Sequence, residues 1–292
     1  MNVLHQLPVT SWMEAPPPSL QAQALQALES GQLIYLPVLA FTLNSAEQHF
    51  LSPVWSDGKS KNISLDNNLS LRGARGDAAD LVQLQQMIAR FAEQATRLIA
   101  NLFPRYTPHL MRARTSFRPC EVEQRASSYK KDDTRLHVDA FPSRPNHGMR
   151  ILRVFSNINP EAKPRLWRVG EPFEAAAARY LPHIKRPLPG SAALLQSLRI
   201  TKGRRSEYDH LMLHLHDKLK ADVRYQREAP QQALALAANT TWIVFSDQVL
   251  HAAMGGQYML EQTFHLPIAA LREPATAPLR VLEKLRGRTL VA

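Results

Sequence analysis

His137 and Asp139 stand two residues apart in the stretch TRLHVDAF. On an extended strand, alternate side chains point the same way, so an imidazole and a carboxylate would converge on one spot. That pair suits a divalent metal, and a second histidine would complete the two-histidine, one-carboxylate set of non-haem iron oxygenases. The chain has eleven histidines from which to draw that partner. His214 and His216 are two apart in a helical pattern, about 200° around the axis, and cannot share an ion. His210 and His214 have helical chelating spacing but lack the carboxylate of an H-E-x-x-H site. His147 lies in a loop near the pair, and His265 stands at a strand end before Pro267. His251 follows the strand-like WIVFSDQVL and precedes Ala252, Ala253 and Gly255-Gly256, small residues that leave room for an ion and its ligands. The expected metal ligands are therefore His137, Asp139 and His251.

These residues need a framework. Residues 19–30 read as a short helix with Ser19 as N-cap and Gly31 as its stop. Residues 77–103 repeat apolar positions at three and four, and form the longest predicted helix, closed by Pro104. From residue 110 the period changes, and 110–127 and 149–158 read as strands. Residues 171–228 return to helix. TWIVFSDQVLHAAM and QYMLEQTFHL then read as two strands of a hairpin turning at Gly255-Gly256. The order predicts an α+β protein with one antiparallel sheet system and helices outside it. The expected division is an N-terminal arm (1–18), a main domain (19–267) with a helical insert at about 171–228, and a basic tail (268–292).

The chain of 292 residues carries 36 Lys and Arg against 25 Asp and Glu, a formal charge of +11. Such a field attracts phosphates, acidic sugars or anionic membrane surfaces. Nucleic acid is not expected, because the basic residues are scattered and no zinc-finger or RNP-like spacing occurs. A single cysteine, Cys120, excludes an internal disulfide. No apolar run reaches the ~20 residues of a membrane span. With no signal-like N-terminus, a cytoplasmic protein is expected. The tail APLRVLEKLRGRTLVA places Leu279, Leu282 and Leu285 on one helical stripe among cations, so it could lie on a membrane surface or dock on the protein itself.

LHVDAFPSRPNHGMRILRVFSNINP, LWRVGEPFE, TKGRRSEYDHLMLHLHDKLKAD and SDQVLHAAMGGQYMLEQTFHLP resemble the Kdo hydroxylases of Gram-negative bacteria, members of the iron(II)/2-oxoglutarate-dependent dioxygenases. The resemblance covers roughly residues 20–292. It implies a double-stranded β-helix (jelly-roll, cupin-like) core. Its implied requirements are Fe(II), 2-oxoglutarate and O₂, and its implied reaction is hydroxylation of carbon 3 of Kdo to Ko. The implied partner is Kdo-bearing lipid A or a lipopolysaccharide precursor, met at the inner membrane surface. Many relatives hold the distal carboxylate of 2-oxoglutarate with a cation about ten residues after the distal histidine. Here that window has Glu261 and Gln262 instead. Arg150 and Arg153 stand where another branch places its basic residue. Arg153 and Asn157 would share a strand face, so these two are the expected cosubstrate residues, with Arg150 in reserve and Gln262 as an auxiliary. Lys130, Lys131, Arg144 and His147 flank the metal motif and are expected to grip the acidic sugar. Competing readings are a 2-oxoglutarate oxygenase of another substrate and a non-oxidative, cupin-like sugar-binding protein or isomerase.

Overall fold

The computed structural model describes residues 2–121 and 128–291. Strand β1 (Leu4–Gln6) leads into helix α1 (Pro18–Glu29) and β2 (Leu33–Leu36). Helix α1 starts two residues earlier than the sequence indicates: Pro17 occupies the N-cap and Ser19 lies inside the first turn. Strands β3 (Ile63–Leu65) and β4 (Leu71–Arg72) precede helix α2 (Ala78–Leu102), which is capped by the Asp77 side chain on the Asp80 amide. Strands β5 (Met111–Arg118), β6 (Arg150–Asn157) and β7 (Arg165–Gly170) follow. The predicted strand over 110–127 thus ends at Arg118, and its residues 122–127 lie outside the described residues. Helices α3 (Phe173–Tyr180), α4 (Ser191–Ser197), α5 (Glu207–Ala221) and α6 (Val223–Glu228) lie between β7 and β8 (Gln231–Leu236). Strands β9 (Thr240–Phe245), β10 (His251–Gly255) and β11 (Met259–Leu266) and helix α7 (Pro278–Arg286) complete the chain.

Two sheets result, not one. The larger has the order β1-β2-β9-β6-β11-β5-β3-β4, antiparallel except for the β1–β2 pair; the smaller is β10-β7-β8. The alternation of β6, β9 and β11 separates two environments. Leu152, Val154, Ile243, Phe245, Leu260 and Phe264 face the core under α1 and α2. Phe155, Trp242, Val244 and Met259 face Trp167, Val169, Leu236 and Ala253 of the small sheet. Trp167 meets Phe155 and Trp242 edge-on, with centroids 5.3 and 5.7 Å apart, which fixes the spacing of the sheets at one end.

The expected hairpin at Gly255-Gly256 does not form. The run 241–254 breaks at Ser246–Leu250, so β9 stays in the large sheet while β10 pairs with β7, and β11 pairs with β5 and β6. Asp247 and Gln248 turn inward at the break to bind Arg150. Gly256 makes the crossing at φ +113°, where a Cβ would lie 2.9 Å from Arg165 Cδ.

The terminal segments pack on the body. Leu7, Val9 and Trp12 belong to the core under the large sheet. Leu279, Leu282 and Leu290 join the cluster formed by α3, α5 and Leu136, so the leucine stripe of the tail docks on the protein itself. No described helix is long and apolar enough to cross a membrane.

Candidate metal centre and cosubstrate cavity

His137 and His251 exchange reciprocal backbone hydrogen bonds of 3.0 and 2.9 Å and sit directly opposite each other. The Asp139 amide donates to Ser246 O at 2.8 Å, pinning the carboxylate to the end of β9. His137, Asp139 and His251 offer donor atoms that all lie within 4.8 Å of one another, the single such group of three among the described residues. Each imidazole is oriented by a backbone carbonyl: Nδ1 of His137 lies 2.7 Å from Arg135 O, and Nδ1 of His251 lies 2.8 Å from Val249 O. A proton on each Nδ1 satisfies the carbonyl and leaves the Nε2 lone pairs for an ion. His137 Nε2 lies 3.8 Å from Asp139 Oδ1. Burial holds both histidines below their usual range, His137 additionally through His251, so both are neutral donors. Burial opposes the charge on Asp139, but Arg153, together with His251, His137 and a hydrogen bond from Ser246, outweighs it and keeps the carboxyl ionised. The donor set, its protonation and its anchoring all fit a divalent ion.

Arg153 lies next to that carboxylate, with Nη2 2.9 Å from Asp139 Oδ2 and Nη1 2.6 Å from Glu261 Oε1. Glu261 in turn pairs with Arg118, Arg118 approaches Asp133 at 3.7 Å, and Lys61 binds Asp133 at 2.6 Å. Six charges alternate in sign along this row, so the electrostatic cost of each is offset by its neighbours. Burial opposes the charge on Glu261, yet Arg153 and Arg118 hold it below the usual range. Trp167 stacks on His251 with centroids 5.1 Å apart and rings 19° from parallel, fixing the second face of that imidazole.

The centre opens into a cavity of about 1130 Å³ whose lining holds eleven Lys or Arg against five Asp or Glu. Arg118, Arg153 and Arg165 line its inner part, and Arg72, Arg114, Lys130, Lys131, Arg144 and Lys202 also face it. Four expected site residues are elsewhere. Arg150 is fully buried on the opposite face of β6, bonded to Asp247 at 2.7 Å and lying 3.7 Å over the Phe245 ring. Asn157 shares the face of Arg153, but its amide is committed to the carbonyls of Lys163 and Leu236 and does not reach the cavity. Gln262 points to the other side of β11, where it bonds Thr115 at 2.7 Å. His147 also lies outside the cavity: it turns at φ +52° and faces Asp209 and solvent. Conversely, His265, next to the last residue of β11, lines the cavity.

Arg118, Arg165, Trp167, Glu261, Lys61 and Lys220 are cavity residues that the sequence did not single out. A signal existed in RLWRVG, where Arg165, Trp167 and Val169 alternate on one face. Another existed in β11, where Glu261, Thr263 and His265 share the face opposite Leu260, Phe264 and Leu266.

Two histidines and a carboxylate on a two-sheet framework, beside a cation-lined cavity, define the donor arrangement of the non-haem iron oxygenases. The chain belongs to the 3-deoxy-D-manno-oct-2-ulosonic acid (Kdo) hydroxylase family, whose profile matches residues 11–289. It is similar in structure to the Kdo hydroxylase KdoO, a non-haem Fe(II) α-ketoglutarate-dependent dioxygenase, solved with α-ketoglutarate and Fe(III). That structure is 49% identical, with a TM-score of 0.95 over 99% of this chain and 97% of that one. KdoO with cobalt(II) is 49% identical, with a TM-score of 0.97 over 99% of this chain and 98% of that one. KdoO with succinate and Fe(III) is 48% identical, with a TM-score of 0.96 over the same shares of the two chains. No curated protein sequence matches the chain.

Proposed function

We propose that the chain is an iron(II)/2-oxoglutarate-dependent dioxygenase that hydroxylates carbon 3 of Kdo carried on lipid A, giving Ko, with His137, Asp139 and His251 as the metal ligands. The observation that carries this reading is the joint orientation of those side chains. Both Nδ1 atoms are tied to carbonyls, and the donor atoms lie within 4.8 Å of one another. In this reading the two packed sheets are the double-stranded β-helix of this superfamily, carried mainly by 19–267 with the insert at 171–228, and β1 (Leu4–Gln6) extends the larger sheet.

Iron bound there supplies activation of O₂ coupled to conversion of 2-oxoglutarate to succinate and carbon dioxide, with the second oxygen atom entering the sugar C–H bond. The residues of the chain position the reactants. Arg153 fixes the Asp139 carboxylate and presents a cation beside the ion, where an anionic cosubstrate must lie. Arg118 and Arg165 extend that cationic wall, and Glu261 holds the Arg153 and Arg118 guanidinium groups in place. Trp167 excludes water from one side of His251. Lys130, Lys131 and Arg144 at the mouth suit the carboxylate of Kdo and the phosphates of lipid A. The enzyme is cytoplasmic and meets its substrate at the inner membrane.

The test supplies Fe(II), O₂ and labelled 2-oxoglutarate with and without Kdo-bearing lipid A. Release of labelled carbon dioxide rises with the lipid, and mass spectrometry shows one added oxygen atom on the Kdo. Decarboxylation that ignores the lipid, but responds to another acceptor, would assign a different substrate.

A further inference from the structure

The exposed large aliphatic residues of this chain are not evenly distributed. Leu188, Leu194, Leu198 and Ile200 are 77, 59, 60 and 53% exposed and fall within thirteen residues of the insert. Helix α4, at the centre of this segment, has no buried residue. The same stretch carries Lys185, Arg186, Arg199, Lys202, Arg204 and Arg205, and the sequence from 175 to 206 contains no Asp or Glu. All of these cations except Arg205 are exposed. An aliphatic face in a purely cationic setting is complementary to a surface that offers hydrocarbon beneath negative charge. A second copy of the chain would bring the same positive charges against each other, which disfavours self-association through this face.

The segment is joined to the cavity mouth. The Lys202 amide donates to Ser143 O at 2.9 Å, and Arg205 donates to Pro142 O. Pro142, Arg144 and Lys202 themselves line the cavity. We propose that residues 185–205 are a membrane-docking face that seats the mouth of the cavity on an anionic bilayer. Leu188, Leu194, Leu198 and Ile200 enter the acyl boundary, and Lys185, Arg186, Arg199 and Arg204 contact headgroup phosphates. This deepens the reading of a lipid A-linked substrate, on which it rests for its biological sense. Such a lipid would reach the metal without leaving its leaflet.

The test is flotation of the full chain with phosphatidylcholine vesicles containing or lacking phosphatidylglycerol, with no Kdo present. Binding is expected only with phosphatidylglycerol, falling as salt rises. The Leu194→Glu/Leu198→Glu variant is expected to lower the partition coefficient at least about tenfold. The Arg199→Gln/Arg204→Gln variant flattens the salt dependence. Both variants keep the wild-type rate of substrate-free 2-oxoglutarate decarboxylation, which reports intact folding. Wild-type binding by the leucine variant, or no binding by the wild type, overturns the proposal. So does a wild-type dimer that the leucine variant dissociates. Because the vesicles carry no Kdo, a failed hydroxylation of detergent-dispersed Kdo-lipid would sink the substrate reading separately.

Discussion

Replacing Arg153 with methionine should weaken 2-oxoglutarate binding while leaving divalent-metal binding as tight as before or tighter. The guanidinium lies 2.9 Å from Asp139 and 2.6 Å from Glu261, and is largely buried. Two unit charges about 4 Å apart interact by roughly 4 kcal/mol at an effective dielectric constant near 20. In Arg153→Met the Asp139 carboxylate loses that neutralising partner and faces Glu261 across the gap. An empty centre with this excess negative charge binds a divalent cation at least as tightly as the wild type. The cosubstrate loses a cation. Removing one partner of a desolvated charge pair costs about 2–4 kcal/mol, or roughly 30-fold to 700-fold in affinity. The assay titrates cobalt(II) into the apoprotein by visible absorbance, then 2-oxoglutarate into the cobalt form. Retained or tighter cobalt binding with 2-oxoglutarate weakened at least thirtyfold supports the role. Equal loss of both ligands would show that Arg153 only shapes the centre. Unchanged 2-oxoglutarate binding would refute the assignment. The apoprotein of the variant should also melt at a lower temperature, and cobalt should recover part of the loss, because the ion replaces the missing positive charge.

Alanine at His137, Asp139 or His251 should abolish turnover while leaving the circular dichroism spectrum intact, whereas His214→Ala, on the exposed side of α5, should retain wild-type turnover. Arg150→Met strands Asp247 without its cation in the core, so unfolding should become easier by about 3–5 kcal/mol while the 2-oxoglutarate affinity of the folded protein stays unchanged. Deletion of 278–292 removes buried Leu279, Leu282 and Leu290, and should cost more than about 4 kcal/mol in chemical denaturation, with vesicle binding of any folded protein preserved. Burial opposes the charge on Asp133, but Lys61 and Arg118 hold its folded pKa below the ordinary carboxylate value. It therefore contributes stability above that ordinary value, lost as pH falls toward the folded one, and Asp133→Asn should flatten the acid limb of a melting-temperature profile.

The convergence of His137, Asp139 and His251 was legible because short-range geometry decides it: an H-x-D pair on extended backbone converges, and the small residues around His251 leave space. Helix α2 was legible because its 25 residues repeat one apolar stripe with an aspartate cap. The residues lining the cavity beside that trio were less so. Strand parity separated Arg150 from Arg153 correctly, but it could not show that Asn157 is held by carbonyls contributed by a loop and by β8. Gln262 misled for a different reason: a buried polar residue on the apolar face of β11 hides the alternation that puts Glu261, Thr263 and His265 on the cavity side. The false hairpin came from reading Gly255-Gly256 as a local turn. Sheet membership is set there by long-range pairing with β7, which no local signal encodes.

The reciprocal hydrogen bonds between His137 and His251 have a consequence for how such a protein can change. The distance between the two imidazoles is set by a rung of backbone pairing, and the Asp139 amide is held by Ser246 in the same framework. Loop 140–149, by contrast, contributes Arg144 to the mouth and is braced from outside, where Gly148 lies so close to Leu279 that a Cβ would approach its Cδ2 to 2.5 Å. The trio of donors and the cationic rim of the cavity are therefore held by different contacts, the first by a backbone rung and the second by a loop packed on Leu279. Insertions, deletions or recombined segments in the rim can redirect the enzyme to a new acceptor while the donor distances stay within the span of a single rung.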